Sequence, residues 1–160
     1  MDSSKNGQKK PSPKEAKVKV ARFCAYQERT QQEVRNKLYS YGLRQNEVEA
    51  LISDLISDNL INEMRFAKAY AGGKFRIKKW GRLKIKQGLA QHNLSEYCIK
   101  KAMQEIGEKD YLEILQDLIR KRWKTQREPN LFTKRHKVAK YLISRGFEPE
   151  IIWEHLKERR

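Results

Sequence analysis

Apolar residues along this chain recur at the spacing of amphipathic helices. Two stripes follow the i, i+3, i+4, i+7, i+8 order of such a helix: Val48, Leu51, Ile52, Leu55 and Ile56, and Tyr111, Ile114, Leu115, Leu118 and Ile119. The sequence contains no run of alternating apolar and polar residues flanked by hairpin turns, so the pattern predicts no strand. The chain is therefore predicted to be all-α.

The same helix–turn–helix pattern is found three times. The residues at matching positions in the three copies are Val34, Leu38, Gly42, Leu43 and Val48; Ile85, Leu89, Asn93, Leu94 and Ile99; and Val138, Leu142, Gly146, Phe147 and Ile152. Gly42, Asn93 and Gly146 stand where a helix ends in the left-handed conformation, which glycine adopts without penalty and asparagine tolerates. Each is followed by an apolar residue that we expect to pack on the last helical turn.

A further helix is predicted in front of each pair, at about residues 18–28, 62–76 and 110–123. Thr30 with Glu33 three residues later forms a capping box for the second helix of the first repeat. A three-helix repeat of this size cannot bury a sufficient core alone, so neighbouring repeats should pack on one another. The sequence predicts an elongated array, curving to the right or to the left, of three tandem three-helix repeats at residues 17–61, 62–107 and 108–160.

Residues 1–16 lack this periodicity. Their apolar members are Met1 and Ala16, and Pro11 and Pro13 are expected to break any helix. Little apolar surface is available to offset the entropy of ordering the segment. We therefore expect a disordered basic N-terminal arm.

The chain has a formal net charge of +16, and its basic residues are concentrated in two segments. Residues 64–95 contain nine Lys or Arg and no Asp or Glu, and residues 120–140 carry a net charge of +8. A segment with so many cations and no acid favours a polyanionic partner, either a nucleic-acid phosphate backbone or an acidic protein surface. The side chains expected to bind the partner or nucleic acid are Arg76, Lys78, Lys79, Arg82, Lys84, Lys86, Arg120, Lys121, Arg122, Lys134, Arg135 and Lys137.

Arg82 and Lys86 lie one helical turn apart on the face of their helix that is predicted to be exposed. We expect them to form a phosphate clamp. Because lysine dominates the exposed positions, the segment favours contacts with phosphate over the reading of base edges.

The sequence carries no recognisable catalytic motif. Gly72, Gly73 and Lys74 resemble the end of a phosphate-binding loop, but Lys68 stands at the first glycine position and Phe75 replaces the Ser or Thr that holds magnesium. The three histidines are scattered, and the two cysteines have no metal-ligand spacing. We predict a protein that is not an enzyme and that uses no cofactor, no metal and no small-molecule substrate.

No apolar run approaches the roughly 20 residues of a membrane span, and the N-terminus lacks the apolar core of a signal peptide. We therefore expect a cytoplasmic protein without a membrane partner. A monomer is expected as well.

Three segments carry a resemblance to a known family. Residues 60–70 read Leu-Ile-Asn-Glu-Met-Arg-Phe-Ala-Lys-Ala-Tyr, residues 79–85 read Lys-Trp-Gly-Arg-Leu-Lys-Ile, and residues 141–147 read Tyr-Leu-Ile-Ser-Arg-Gly-Phe. These segments resemble the RecX regulatory proteins, and the likeness extends over about residues 17–158. Two departures are Asn62, where the family usually has Asp, and Gly88 within a helix, which costs about 1 kcal/mol relative to alanine.

The resemblance implies three tandem three-helix repeats, no enzymatic activity and binding to the recombinase RecA. In that family the protein lodges in the groove of the RecA filament on single-stranded DNA and restrains ATP hydrolysis and strand exchange. This chain would accordingly act in recombination and DNA repair.

Two other functions are open from the residues alone. One is a stand-alone, nonspecific DNA- or RNA-binding or architectural protein, whose affinity would fall steeply with salt and persist without RecA. The other is a protein-interaction scaffold whose positive charge serves solubility.

Overall fold

The computed structural model describes residues 9–160, which form nine α-helices and no strand. The all-α prediction is therefore confirmed for this part of the chain. The helices are α1 (Pro13–Tyr26), α2 (Gln31–Ser40), α3 (Gln45–Ser57), α4 (Glu63–Arg76), α5 (Arg82–Gln91), α6 (Glu96–Met103), α7 (Glu108–Thr125), α8 (Leu131–Ser144) and α9 (Pro149–Leu156).

The predicted N-terminal arm needs correction at its end. Residues 1–8 lie outside the described residues. Pro13, expected to break a helix, begins α1, and the Ser12 hydroxyl accepts a hydrogen bond from the backbone N–H of Glu15 at 3.2 Å. Proline suits the first helical turn, because its missing N–H has no partner to lose there and its φ is already helical. Residues 13–16, predicted to be disordered, are thus helical.

The three predicted helix ends have the left-handed backbone that the repeat pattern requires. The φ angles are +84° at Gly42, +56° at Asn93 and +96° at Gly146. Leu43 and Phe147, which follow the two glycines, are 4% and 0% exposed. Each turn therefore buries its next residue and sends the chain back as the third helix of the repeat.

The chain divides into two compact units, Met1–Phe66 and Ala67–Arg160. In the first unit, α1, α2 and α3 enclose one apolar core. Its fully buried members are Ala16, Val20, Val34, Leu38, Val48 and Leu55. Thr30 caps α2 as predicted, its hydroxyl accepting from the backbone N–H of Glu33 at 3.1 Å.

The second unit holds helices of both the second and the third predicted repeat. Its centre is a chain of aromatic rings, in which Tyr111 lies 5.9 Å from Phe75 and 5.3 Å from Phe147 between ring centroids. Tyr111 and Phe147 have no exposed surface. The repeat boundaries at 61/62 and 107/108, and the elongated shape, stay predictions.

Gly88 has a packing reason for its place inside α5. A Cβ at this position would overlap the hydroxyl of Tyr70 on α4. The missing side chain therefore makes room for Tyr70. This packing offsets part of the stability that glycine costs inside a helix.

Candidate partner-binding surface

The first turn of α5 rests directly on the turn between α8 and α9. The backbone N–H of Gly81 donates to the carbonyl of Arg145 at 2.8 Å, and that of Leu83 donates to the carbonyl of Gly146 at 3.0 Å. A Cβ on Gly81 would overlap the Gly146 backbone. Gly81 and Gly146 thus allow close contact between the two backbone segments. This contact fixes the direction of α5.

Arg82 is held in a network of its own. Its guanidinium donates to Glu148 at 2.9 Å and to Glu108, and it lies 3.8 Å from the centroid of the Tyr111 ring. The Tyr111 hydroxyl in turn donates to Glu148 and accepts from the backbone N–H of Arg82 at 3.1 Å. These contacts tie α5 to α7 and to the N-terminus of α9.

The network alters the ionisation of its members. Burial opposes the charge of Arg82, but the hydrogen bonds that its guanidinium donates to Glu148 and Glu108 outweigh this effect and raise the pKa of the guanidinium. Burial, together with the hydrogen bond to Glu148, also raises the pKa of the Tyr111 phenol. Both groups therefore keep their protons throughout the physiological pH range.

The predicted clamp of Arg82 and Lys86 needs correction on this point. Lys86 is exposed, as expected. Arg82 is only 26% exposed in its side chain and is bonded to two carboxylates. The expectation that Arg82 faces outward is wrong, because acidic residues 26 and 66 positions away neutralise it.

Lys84 also has a contact within the protein. Its ammonium lies 4.5 Å from the ring centroid of Trp80, and that of Lys74 lies 4.7 Å from the same centroid. The half-buried indole thus attracts two cations through its π face. This pair of contacts holds the turn between α4 and α5 against both helices.

That turn and the end of α4 present three exposed cations of the first basic segment. Arg76, Lys78 and Lys79 are exposed, and neighbouring Ile77 is 77% exposed. The guanidinium of Arg145 donates to the backbone carbonyl of Lys78, which anchors the turn to α8. We call Arg76, Lys78, Lys79 and Lys86 the cationic edge. None of the four forms an ion pair with a side chain of residues 9–160, although Lys79 adds to the stronger effects of Lys121 and Arg120 that lower the pKa of Asp117.

In the second basic segment, the six side chains predicted to bind the partner are engaged within the protein. Arg120 and Lys121 both pair with Asp117, the latter at 2.9 Å, and Lys137 pairs with Glu128 at 2.9 Å. The hydrogen bond from Lys121 is the main cause of the lowered pKa of Asp117, and that from Lys137 of the lowered pKa of Glu128.

The other three predicted binding residues of this segment lie on aromatic rings or on backbone. Arg122 lies 4.2 Å from the ring centroid of Tyr141, and Lys134 lies 4.4 Å from that of Trp123. Arg135 donates twice to the backbone carbonyl of Arg159, at 3.0 and 2.8 Å. The structure therefore separates the predicted binding residues of the two segments, although Lys124, Arg127 and Lys140 of the second segment are exposed.

The sequence could have revealed one of these pairs. Asp117 stands three and four positions before Arg120 and Lys121, the spacing at which helical side chains meet. Glu148 and Tyr111 gave no such signal, because their contacts with Arg82 depend on the tertiary fold.

Two classes of site find no support in the described part of the chain. Among residues 9–160 no group of three or more His, Cys, Asp or Glu side chains is arranged to hold a metal ion. No helix within the same residues is long and apolar enough to span a membrane.

The helices, turns and cationic edge define a protein of tandem three-helix repeats with a basic surface. Family models of the RecX domains match it in order: the first three-helix domain at residues 16–55, the second at 62–103 and the third at 108–156. Together the three matches span most of the sequence. The chain belongs to the RecX family, as its sequence resemblance indicated.

Individual relatives agree with this assignment. A regulatory protein RecX of Clostridium acetobutylicum is 27% identical over 89% of this chain and 68% of its own length. One of Thermotoga petrophila is 28% identical, over 86% and 80%. One of Bacillus cereus is 25% identical over 91% of this chain, which spans only 55% of that relative. This chain thus spans little more than half the length of its Bacillus relatives.

Solved structures share the fold. The crystal structure of RecX from Lactobacillus salivarius superposes with a TM-score of 0.81 at 23% identity, covering 91% of this chain and 95% of that one. A second crystal structure of a regulatory protein RecX gives 0.77 at 23% identity, covering 92% and 72%. At this identity the likeness establishes the three-repeat helical fold.

Proposed function

We propose that this chain is a non-enzymatic regulator that binds the RecA filament on single-stranded DNA and inhibits its ATPase and strand-exchange activities. The relatives' name, regulatory protein RecX, supports the regulatory role. In this proposal the protein works in the cytoplasm as a monomer, in recombination and DNA repair.

The observation that carries the proposal is the cationic edge. Arg76 ends α4, and Lys78 and Lys79 lie in the turn after it, which is held by Trp80 with its two lysines and by Arg145. A preorganised turn loses little entropy when a phosphate backbone neutralises it. The filament offers such a backbone together with protein surface.

Inhibition in this proposal is steric. A repeat protein lying in the filament groove blocks the entry of a second DNA and hinders the subunit motions that accompany ATP hydrolysis. No catalytic group on this chain is needed for either effect.

The test combines two titrations of the full chain under one buffer condition. The first follows ATP hydrolysis by RecA on single-stranded DNA, and the second follows a gel shift of the same DNA without RecA. We expect inhibition at concentrations too low to shift bare DNA. A shift of bare DNA without selective inhibition supports a stand-alone nucleic-acid-binding protein instead, and neither effect supports a scaffold.

A further inference from the structure

The outer face of α5 joins two depressions of the second unit. A notch of about 210 Å³ at its N-terminal end is lined by Leu83 and Ile143, which are 51% and 44% exposed. A groove of about 800 Å³ at its C-terminal end lies between α5 and α6, with Ala90 at its edge. Leu83, Gln87 and Ala90 follow one another at i, i+4 and i+7, so they share one face of the helix.

The chemistry of this face favours a protein over a nucleic acid. The groove contains the apolar side chains of Leu94, Ile99 and Met103. Phosphate gains nothing from such groups. Neither depression has an aromatic ring in its lining, although stacking on aromatic rings is how proteins bind single-stranded bases. Leu83 and Ile143 expose aliphatic surface at the notch, and exposed apolar surface beside a groove is typical of a docking site.

The charges around the face favour an acidic partner. Lys86 and Lys100 lie at the groove, and Lys84 lies at the notch. Against these three cations stands one carboxylate, that of Glu96. Helix α5 itself contains no Asp or Glu. A partner with carboxylates beside its apolar residues therefore complements both the charge and the polarity of the surface.

We propose that the outer face of α5 binds an acidic amphipathic helix of a partner protein. Apolar side chains of that helix, spaced at i, i+3 or i+4 and i+7, enter the groove and the notch, and its carboxylates face Lys86 and Lys100. The distance from Leu83 to Ala90, about 10 Å along the axis, corresponds to two turns of such a helix. One part of this inference rests on the proposed function: the partner helix is taken to belong to the protein of the RecA filament.

The test uses the full chain labelled with ¹⁵N and a synthetic helical peptide with leucines on one face and glutamates on the other. Amide shifts are expected at α5 and α6. Ala90→Glu places a carboxylate at the edge of the groove and should weaken peptide binding about tenfold through like-charge repulsion. Ala25→Glu, the same substitution at an exposed position of α1, is the matched control and should bind as the unaltered chain does.

Two further probes decide between possible occupants. A peptide of the same composition with its leucines scrambled should bind much more weakly. A thymidine oligonucleotide should shift the cationic edge, and Ala90→Glu, one turn from Lys86, should weaken its binding far less than that of the peptide. The inference is overturned by absence of shifts, by equal binding of the scrambled peptide, or by loss of oligonucleotide binding in Ala90→Glu.

Inhibition of RecA by Ala90→Glu separates this inference from the proposed function. Reduced inhibition by this variant supports the filament as source of the helix, and full inhibition contradicts that source. If the unaltered chain binds the peptide but does not inhibit RecA at all, the docking face stands and the proposed function fails.

Discussion

The guanidinium of Arg82 donates a hydrogen bond to Glu148 across 2.9 Å and so joins the first turn of α5 to the residue that precedes α9. The two residues are 66 positions apart in the sequence. This bond, with those to Glu108 and Tyr111, makes Arg82 a structural residue of the second unit. The binding role then rests with its more exposed neighbours.

Replacing Arg82 should therefore affect stability more than a matched change nearby. We expect Arg82→Ala to lower the free energy of unfolding by about 2 kcal/mol, because it leaves a half-buried carboxylate without its charged donor. Lys86→Ala, on the exposed face of the same helix, should change it by less than about 0.5 kcal/mol. Urea unfolding followed by circular dichroism measures both. Equal losses of unfolding free energy in the two variants would show that Arg82 is not a structural residue of the second unit.

The raised pKa of Tyr111 predicts a loss of stability in alkali. In the unfolded chain the phenol ionises near its ordinary pKa of 10.0, whereas in the folded chain burial and Glu148 keep it protonated to higher pH. The folded state thus holds the proton more tightly, and its contribution is complete below pH 10 and lost as the pH rises further.

Tyr111→Phe removes this titration. The difference in unfolding free energy between the unaltered chain and Tyr111→Phe should be constant at neutral pH and should shrink once the pH exceeds about 10. The other tyrosines are common to both proteins and cancel in the comparison. A difference that stays flat through this range would show that burial and Glu148 do not keep the phenol protonated.

Three glycines should respond in different ways to alanine. No atom lies within 4 Å of a Cβ built on Gly73, near the end of α4, so Gly73→Ala should stabilise the protein by about 0.5–1 kcal/mol through helix propensity. Gly81→Ala should destabilise it, because its Cβ would overlap the backbone of Gly146. Gly146→Ala should do so as well, since its φ of +96° strains any other residue.

Thermal unfolding of these variants checks the contact between α5 and the α8–α9 turn. Gly73→Ala should raise the midpoint and the other two should lower it. A Gly81→Ala protein as stable as the unaltered chain would mean that the two backbones are not in contact.

Local features of this protein were predictable from the sequence, and the contacts between distant elements were not. The left-handed turns at Gly42, Asn93 and Gly146 follow from a pattern within a few residues, so they were found. The N-cap at Ser12 is equally local. It was missed because Pro13 was expected to break a helix, although proline is well tolerated in the first turn of a helix. The two basic segments look equivalent in the sequence because Lys134 and Arg122 meet their aromatic rings only after folding.

The central claim is that the cationic edge carries the binding of the filament, and one assay tests it directly. RecA ATPase on single-stranded DNA is titrated with the unaltered chain, with Lys78→Ala/Lys79→Ala, and with Lys14→Ala/Arg22→Ala, which removes two exposed cations of α1. We expect the first double variant to need about tenfold more protein for half-inhibition and to lose about 1.4 from the slope of log affinity against log salt. The α1 variant should inhibit like the unaltered chain. Equal potency and equal salt dependence of all three proteins would contradict the account.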